Sequence, residues 1–159
     1  MRVVPGVTAG VGGLAYAGIP VTHRDVNQAV TFLTGHDQTG DAPAGIDWAA
    51  LAQASPVIVC YMAIKTLPKI AAALIAGGRD PAEPVAVVTN ATLPDMQVLE
   101  TRLDRAAGDV TRAGIEPPAI ICIGKVVRMR AVLDWAGQMA GAPVRDPDPL
   151  GARKIADAG

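Results

Sequence analysis

Val57-Ile58-Val59-Cys60-Tyr61, then Thr66-Leu67-Pro68-Lys69-Ile70-Ala71-Ala72-Ala73-Leu74-Ile75-Ala76-Gly77-Gly78, then Pro84-Val85-Ala86-Val87-Val88-Thr89 decide the fold of this 159-residue chain. The first run is continuously apolar, as in a strand buried on both faces of a sheet covered by helices. In the second, Leu67, Ile70, Ala71, Leu74 and Ile75 fall at i, i+3, i+4, i+7 and i+8, a helix stripe that Thr66 opens and Gly77-Gly78 closes. In the third, Val85 to Thr89 is again a strand. Strand, helix and strand in succession make an α/β layer structure.

Working outward, Asp47 caps a short helix over Trp48 to Ala54, with Ile46 and Leu51 as its hydrophobic staple. Further strands are expected at Ala29 to Leu33, Gln97 to Arg102 and Ala119 to Ile123. Further helices are expected at Leu103 to Ala113 and Val126 to Met139. Val3 and Val4 read as the end of a strand, Pro5-Gly6 as a turn, and Val7 to Ala17 as a helix. That helix carries Gly10, Gly12 and Gly13, each costing about 1 kcal/mol relative to Ala, which is tolerated where something must approach the backbone closely. The expected fold is an open mixed sheet of about five strands flanked by helices, part of it antiparallel near Gln97. Residues 1–140 form one domain in this reading, and 141–159, richer in Pro, Asp and Gly, a mobile tail.

Composition excludes several functions. Net charge is −1 and there are five aromatic residues, so neither a basic surface nor stacking rings support nucleic-acid binding. The longest apolar run, Val57 to Ile64, is far short of a membrane span, and Met1 to Gly6 lack signal-peptide character; a cytoplasmic protein without membrane association is expected. Cys60 and Cys122 lie in apolar runs and read as core residues, and two Cys with two scattered His make no metal site. The single serine, Ser55, precedes Pro56 and reads as a loop residue rather than a nucleophile.

In open α/β sheets ligands bind beyond the carboxyl ends of strands. Three segments fit that place: Pro5-Gly6-Val7-Thr8-Ala9, Tyr61-Met62-Ala63 and Thr89-Asn90-Ala91-Thr92. The glycine cluster is neither a dinucleotide fingerprint nor a Walker loop. His23 and Arg24 would attract a carboxylate if their loop faced a cleft. Lys65, Lys69 and Lys125 read as solvated helix charges, and His36 as an exposed loop residue.

Beyond pattern, Val3-Val4-Pro5-Gly6-Val7-Thr8-Ala9, Gly18-Ile19-Pro20-Val21-Thr22-His23-Arg24-Asp25, Thr34-Gly35-His36, Cys60-Tyr61-Met62 and Pro84-Val85-Ala86-Val87-Val88-Thr89-Asn90-Ala91-Thr92 closely resemble the uroporphyrinogen III C-methyltransferases of the tetrapyrrole methylase superfamily. The resemblance runs to about Ala136. It implies S-adenosylmethionine-dependent methylation of uroporphyrinogen III to precorrin-2, on the route to sirohaem and cobalamin. The implied architecture has two α/β domains with the cofactor in the cleft between them, usually as a homodimer. By position, Thr8, Ala9, Met62 and Ala91 match cofactor contacts, and His23 and Arg24 are candidate substrate-side groups; no catalytic residue is assigned.

Two departures accompany the resemblance. Thr89-Asn90-Ala91 stands where the family usually has Glu-Asn-Gly, and Ala91 would strain the loop if that glycine held a positive φ. The family's N-terminal domain is not in this sequence, so the chain is expected to correspond to the C-terminal domain of a truncated or split enzyme, served by a complementing N-terminal domain. The alternatives are a non-catalytic cofactor-binding or dimerisation module, and a sister methylase of the superfamily.

Overall fold

The computed structural model describes residues 2–151. The elements run α1 (Ala9–Tyr16), β1 (Thr31–Thr34), α2 (Trp48–Ala54), β2 (Ile58–Tyr61), α3 (Leu67–Ala76), β3 (Pro84–Thr89), β4 (Gln97–Arg102), α4 (Ala106–Arg112), β5 (Ala119–Ile123), a 3-10 turn (Lys125–Met129), α5 (Arg130–Leu133) and α6 (Trp135–Met139). The five strands form one sheet in the order β1-β2-β5-β3-β4. Only β1 and β2 pair in parallel; β5 is antiparallel to both β2 and β3, and β4 to β3. It follows that β1, β2 and β3 all point the same way and end at one edge of the sheet.

Strand periodicity sorts the central side chains into two cores. Ile58, Cys60, Val85, Val87, Ile121 and Ile123 join Leu67, Ile70 and Leu74 of α3 and Ala106 and Val110 of α4 on one face. Val57, Val59, Ala86, Val88, Ile120 and Cys122 join Leu14 of α1 and Val126 and Val127 of the 3-10 turn on the other. The two cysteines therefore lie on opposite faces, both free and buried. Burial pushes each thiol up to about 12, which leaves neither a thiolate nor a reactive role at neutral pH.

Local signals set most boundaries. The Asp47 carboxylate accepts from the Ala50 amide, 2.9 Å, and starts α2. Gly78 at φ 102° ends α3, with its amide bonded to Ile75 and that of Arg79 to Leu74, a Schellman closure. Arg79, buried, then pairs Nε and Nη2 with Glu83 (2.5 and 2.8 Å) and donates from Nη1 to the Ser55 carbonyl at the end of α2.

Several expectations are corrected. Thr66 precedes α3 but does not cap it, because its hydroxyl donates to the Gly35 carbonyl, 2.6 Å. The first strand is Thr31–Thr34 rather than Ala29 to Leu33: Asn27 Nδ2 donates to the Val21 and Ala29 carbonyls and holds Ala29 in the preceding loop. The helix expected from Leu103 begins at Ala106, since the amides of Leu103 and Asp104 go to the carbonyls of Glu83 and Pro81. The helix expected over Val126 to Met139 is three pieces, broken at Asp134, whose carboxylate caps α6 through the Gly137 amide. Val3 and Val4 belong to no strand; both side chains are more than 80% exposed, and no strand of the described residues pairs with them. Of the tail, residues 152–159 lie outside the described residues, whereas Arg145 pairs with Glu100, 2.8 Å.

Candidate functional site

The shared edge where β1, β2 and β3 end carries a cavity of about 870 Å³. Each of these three exits contributes to its wall: His36 and Gly40 after β1, Tyr61 at the end of β2 with Met62, Ile64, Lys65 and Thr66 beyond it, and Asn90, Ala91 and Leu93 after β3, with Pro117 to Ile120 entering β5 and Ala9 at the start of α1. Its volume is within the range of small-molecule and cofactor sites, and its walls are mainly apolar with a few polar groups, the usual composition of such sites.

Two strand exits turn through left-handed backbone. Met62 has φ 52°, Asn90 φ 49° and Thr92 φ 71°. Such conformations cost roughly 1–3 kcal/mol for non-glycine residues and concentrate at ligand sites. The Met62 side chain is 58% exposed on the cavity wall, an unusual place for a large apolar group that only packs. Asn90 is steadied by Asp95, which accepts from its Nδ2 at 2.8 Å, and Thr89 donates towards the carbonyls of Glu116 and Pro118, both 3.1 Å. Ala91 itself is not left-handed. The positive angles fall on its neighbours, so the alanine at this position carries no strain of that kind.

The amino end of α1 is locked to the exit of β2. The Tyr61 hydroxyl lies 2.6 Å from Thr8 Oγ1 and accepts from the Gly10 amide at 3.0 Å, while its ring stacks on Phe32 with centroids 6.2 Å apart. The glycines of α1 make this contact possible. A Cβ on Gly10 would meet the Tyr61 hydroxyl at 2.2 Å, and one on Gly13 would meet Ile120 Cδ1 at 2.7 Å and the Ala91 methyl at 2.9 Å. Close approach of the sheet explains these two poor helix formers.

The three segments singled out in the sequence thus meet at one place: Ala9, Met62 and Ala91 line the cavity, and Thr8 bonds to its Tyr61 wall. His23 and Arg24 do not line it. Their loop, closed by the His23–Asn27 bridge, leads into the amino end of β1, and the cavity opens at the carboxyl end. His23 Nδ1 accepts from the Asp25 amide at 3.3 Å, and Arg24 is exposed. Sequence reasoning placed Tyr61 in a ligand-facing segment without giving its side chain a role, and it missed two charged or polar wall residues: His36 was read as an exposed loop residue and Lys65 as a solvated helix charge, although each follows a strand exit. Among the described residues no group of three His, Cys, Asp or Glu side chains could hold a metal ion, and no helix is long and apolar enough to cross a membrane.

Comparison with known proteins bears on this geometry. Residues 1–107 match the family described as tetrapyrrole (corrin/porphyrin) methylases. A uroporphyrinogen-III C-methyltransferase of Sinorhizobium sp. is 60% identical over 152 residues, covering 96% of this chain and 54% of that protein. A siroheme synthase of Zymomonas mobilis is 46% identical over 134 residues, covering 84% of this chain and 28% of that protein. The structure of a uroporphyrin-III C-methyltransferase from Thermus thermophilus complexed with S-adenosyl homocysteine superposes with a TM-score of 0.67 at 32% identity, over 80% of this chain and 51% of that one. A cobalt precorrin-4 methyltransferase superposes with a TM-score of 0.71 at 26% identity, over 79% of this chain and 52% of that one. The chain therefore spans about half the length, or less, of these relatives.

Proposed function

The chain belongs to the tetrapyrrole methylase family, and from that premise we propose that it is the cofactor-binding C-terminal portion of a uroporphyrinogen III C-methyltransferase, methylating uroporphyrinogen III to precorrin-2 in sirohaem and cobalamin formation. The observation that carries this reading is the cavity at the carboxyl ends of β2 and β3, which Ala9, Met62 and Ala91 line together. The family relative bound to S-adenosyl homocysteine supports the choice of ligand. S-adenosylmethionine supplies an electrophilic methyl group on a sulfonium when bound. The chain's own residues bind and orient it: Ala9, Met62 and Ala91 contact it directly, and Thr8 contacts it from its bond with Tyr61. Apolar walls exclude water from the methyl group, so orientation rather than a side-chain acid or base is what this portion contributes.

His23 and Arg24 act in this proposal from outside the cavity, meeting carboxylates of the substrate from the loop ahead of β1. The protein works in the cytoplasm, as a homodimer or with a complementing N-terminal domain. Because the relatives are about twice as long or longer, methyl transfer is expected to need the portion this chain does not cover. Calorimetry should detect S-adenosylhomocysteine binding by the chain. Turnover of uroporphyrinogen III should be weak or absent until the N-terminal half of a relative, expressed separately, is added. Absence of binding together with failure of complementation would overturn the reading, and robust turnover by the chain alone would overturn its dependence on a second portion.

A further inference from the structure

We propose that Lys65 and His36 form a carboxylate-binding subsite at the β1–β2 end of the cavity. Each follows the exit of one of two adjacent parallel strands. Their loops are tied together by the buried Thr66 hydroxyl, which donates to the Gly35 carbonyl at 2.6 Å, and by the Gly35 amide, which donates to the Tyr61 carbonyl at 2.6 Å. Since Thr66 follows Lys65 and Gly35 precedes His36, these two bonds hold the two loops side by side, and both residues line the cavity. Among the described residues no Asp or Glu lines that cavity, and Lys65 and His36 are the only lining residues able to carry positive charge.

The two lysines near α3 are not equivalent. Lys69, one turn further on, is neutralised by Asp41 at 2.5 Å. Lys65 lines the cavity, and among the described residues no carboxylate pairs with it. An ammonium that no carboxylate of the cavity wall neutralises favours an anionic group of the ligand through a charge-assisted hydrogen bond. His36 adds a directional partner. Its Nδ1 lies 2.9 Å from the Asp37 carbonyl, which can only accept, so Nδ1 carries the proton and Nε2 is left for the ligand.

The ligand carboxylate can come from the amino-acid end of the cofactor or from an acidic side arm of the substrate, and both sources rest on the function proposed above. Calorimetric titrations of the parent chain, Lys65→Met and Lys65→Arg with S-adenosylhomocysteine, 5′-methylthioadenosine and uroporphyrin III separate them. Methylthioadenosine lacks the amino-acid end. Lys65→Met should weaken binding of a carboxylate-bearing ligand about tenfold, Lys65→Arg should retain it, and methylthioadenosine should bind all three proteins alike. A loss confined to S-adenosylhomocysteine assigns the subsite to the cofactor, and a loss confined to uroporphyrin assigns it to the substrate. Unchanged affinity for both in Lys65→Met overturns the subsite while leaving the cofactor reading intact. A parent chain that binds none of the three overturns both. Lys65 is exposed, so the unfolding temperature of the variants should match the parent and exclude a folding defect as the cause.

Discussion

Replacing Gly10 by alanine tests the close contact that fixes one wall of the cavity. In an ordinary helix this exchange stabilises by up to about 1 kcal/mol, because glycine loses more backbone freedom on folding. At Gly10 the added carbon would sit 2.2 Å from the Tyr61 hydroxyl and 2.7 Å from Phe32 Cε1, where ordinary contact begins at 3.4 Å. Relief requires α1 to lift or Tyr61 to swing away, and either movement sacrifices the hydroxyl's bonds to Thr8 and to the Gly10 amide. Overpacking costs about 1–3 kcal/mol and each lost hydrogen bond about 1 kcal/mol, so a net loss of about 2–4 kcal/mol is expected after the propensity gain. For a chain of this length that lowers the melting temperature by roughly 4–16 °C. Gly108, in the first turn of α4, has nothing within 4 Å of the position a Cβ would take. Gly108→Ala should therefore raise the melting temperature by roughly 1–3 °C. Adding Tyr61→Phe to Gly10→Ala removes the closest clashing atom and should recover part of the loss. Thermal unfolding followed by circular dichroism reads all three. A Gly10→Ala protein as stable as Gly108→Ala would refute the claim that α1 is held against the sheet by this approach.

Three further outcomes follow from the interior and its rim. Cys60 and Cys122, with thiols raised to about 12 by burial, should resist alkylation in the native protein at pH 8 and both react once it is unfolded, as counted by mass spectrometry. Arg79→Met leaves Glu83 largely buried without its partner and should cost roughly 3 kcal/mol in urea unfolding, with much of the loss recovered by adding Glu83→Leu. The Asp41 carboxyl is held below its usual value first by its hydrogen bond from Lys69, and Asp37 by that from Thr39. Both contribute loop stability that is complete above the ordinary aspartate value and lost as pH falls through the lower folded value. Lys69→Met should accordingly move the Asp41 midpoint upward in a carboxyl NMR titration, and an unmoved midpoint would contradict the assignment.

Much of the fold was legible because it rests on local rules. The strands Gln97–Arg102 and Ala119–Ile123 and the helix Trp48–Ala54 begin and end as the pattern predicts, since alternation, apolar runs and the Asp47 cap act over a few residues. Some errors arose where a local side chain took a backbone group, as Asn27 did with the Ala29 carbonyl, and others where a distant group did. The Glu83 carbonyl took the Leu103 amide and delayed α4, and the Arg130 guanidinium took the Ala17 carbonyl while pairing with Glu100 and Asp134, 3.0 Å each, where the terminal helix breaks. No spacing rule reads such partners. The family relationship was legible for a different reason: motifs such as Thr22-His23-Arg24-Asp25 and Cys60-Tyr61-Met62 are specific as strings, whatever their position in space.

The sequence by itself determined the α/β class, the two-sided burial of the central strands, the inertness of the cysteines and the family. These depend on composition, periodicity and motif. Only the tertiary structure decided that Ala9, Met62 and Ala91 share a cavity with Tyr61, His36 and Lys65, and that His23 and Arg24 lie off it. The reason is topological. The order β1-β2-β5-β3-β4 carries three strand exits separated by about thirty residues of chain to one edge, and the Gly10 and Gly13 contacts bring α1 down upon it. Neither the order nor the contact distance is written in any local stretch of the chain.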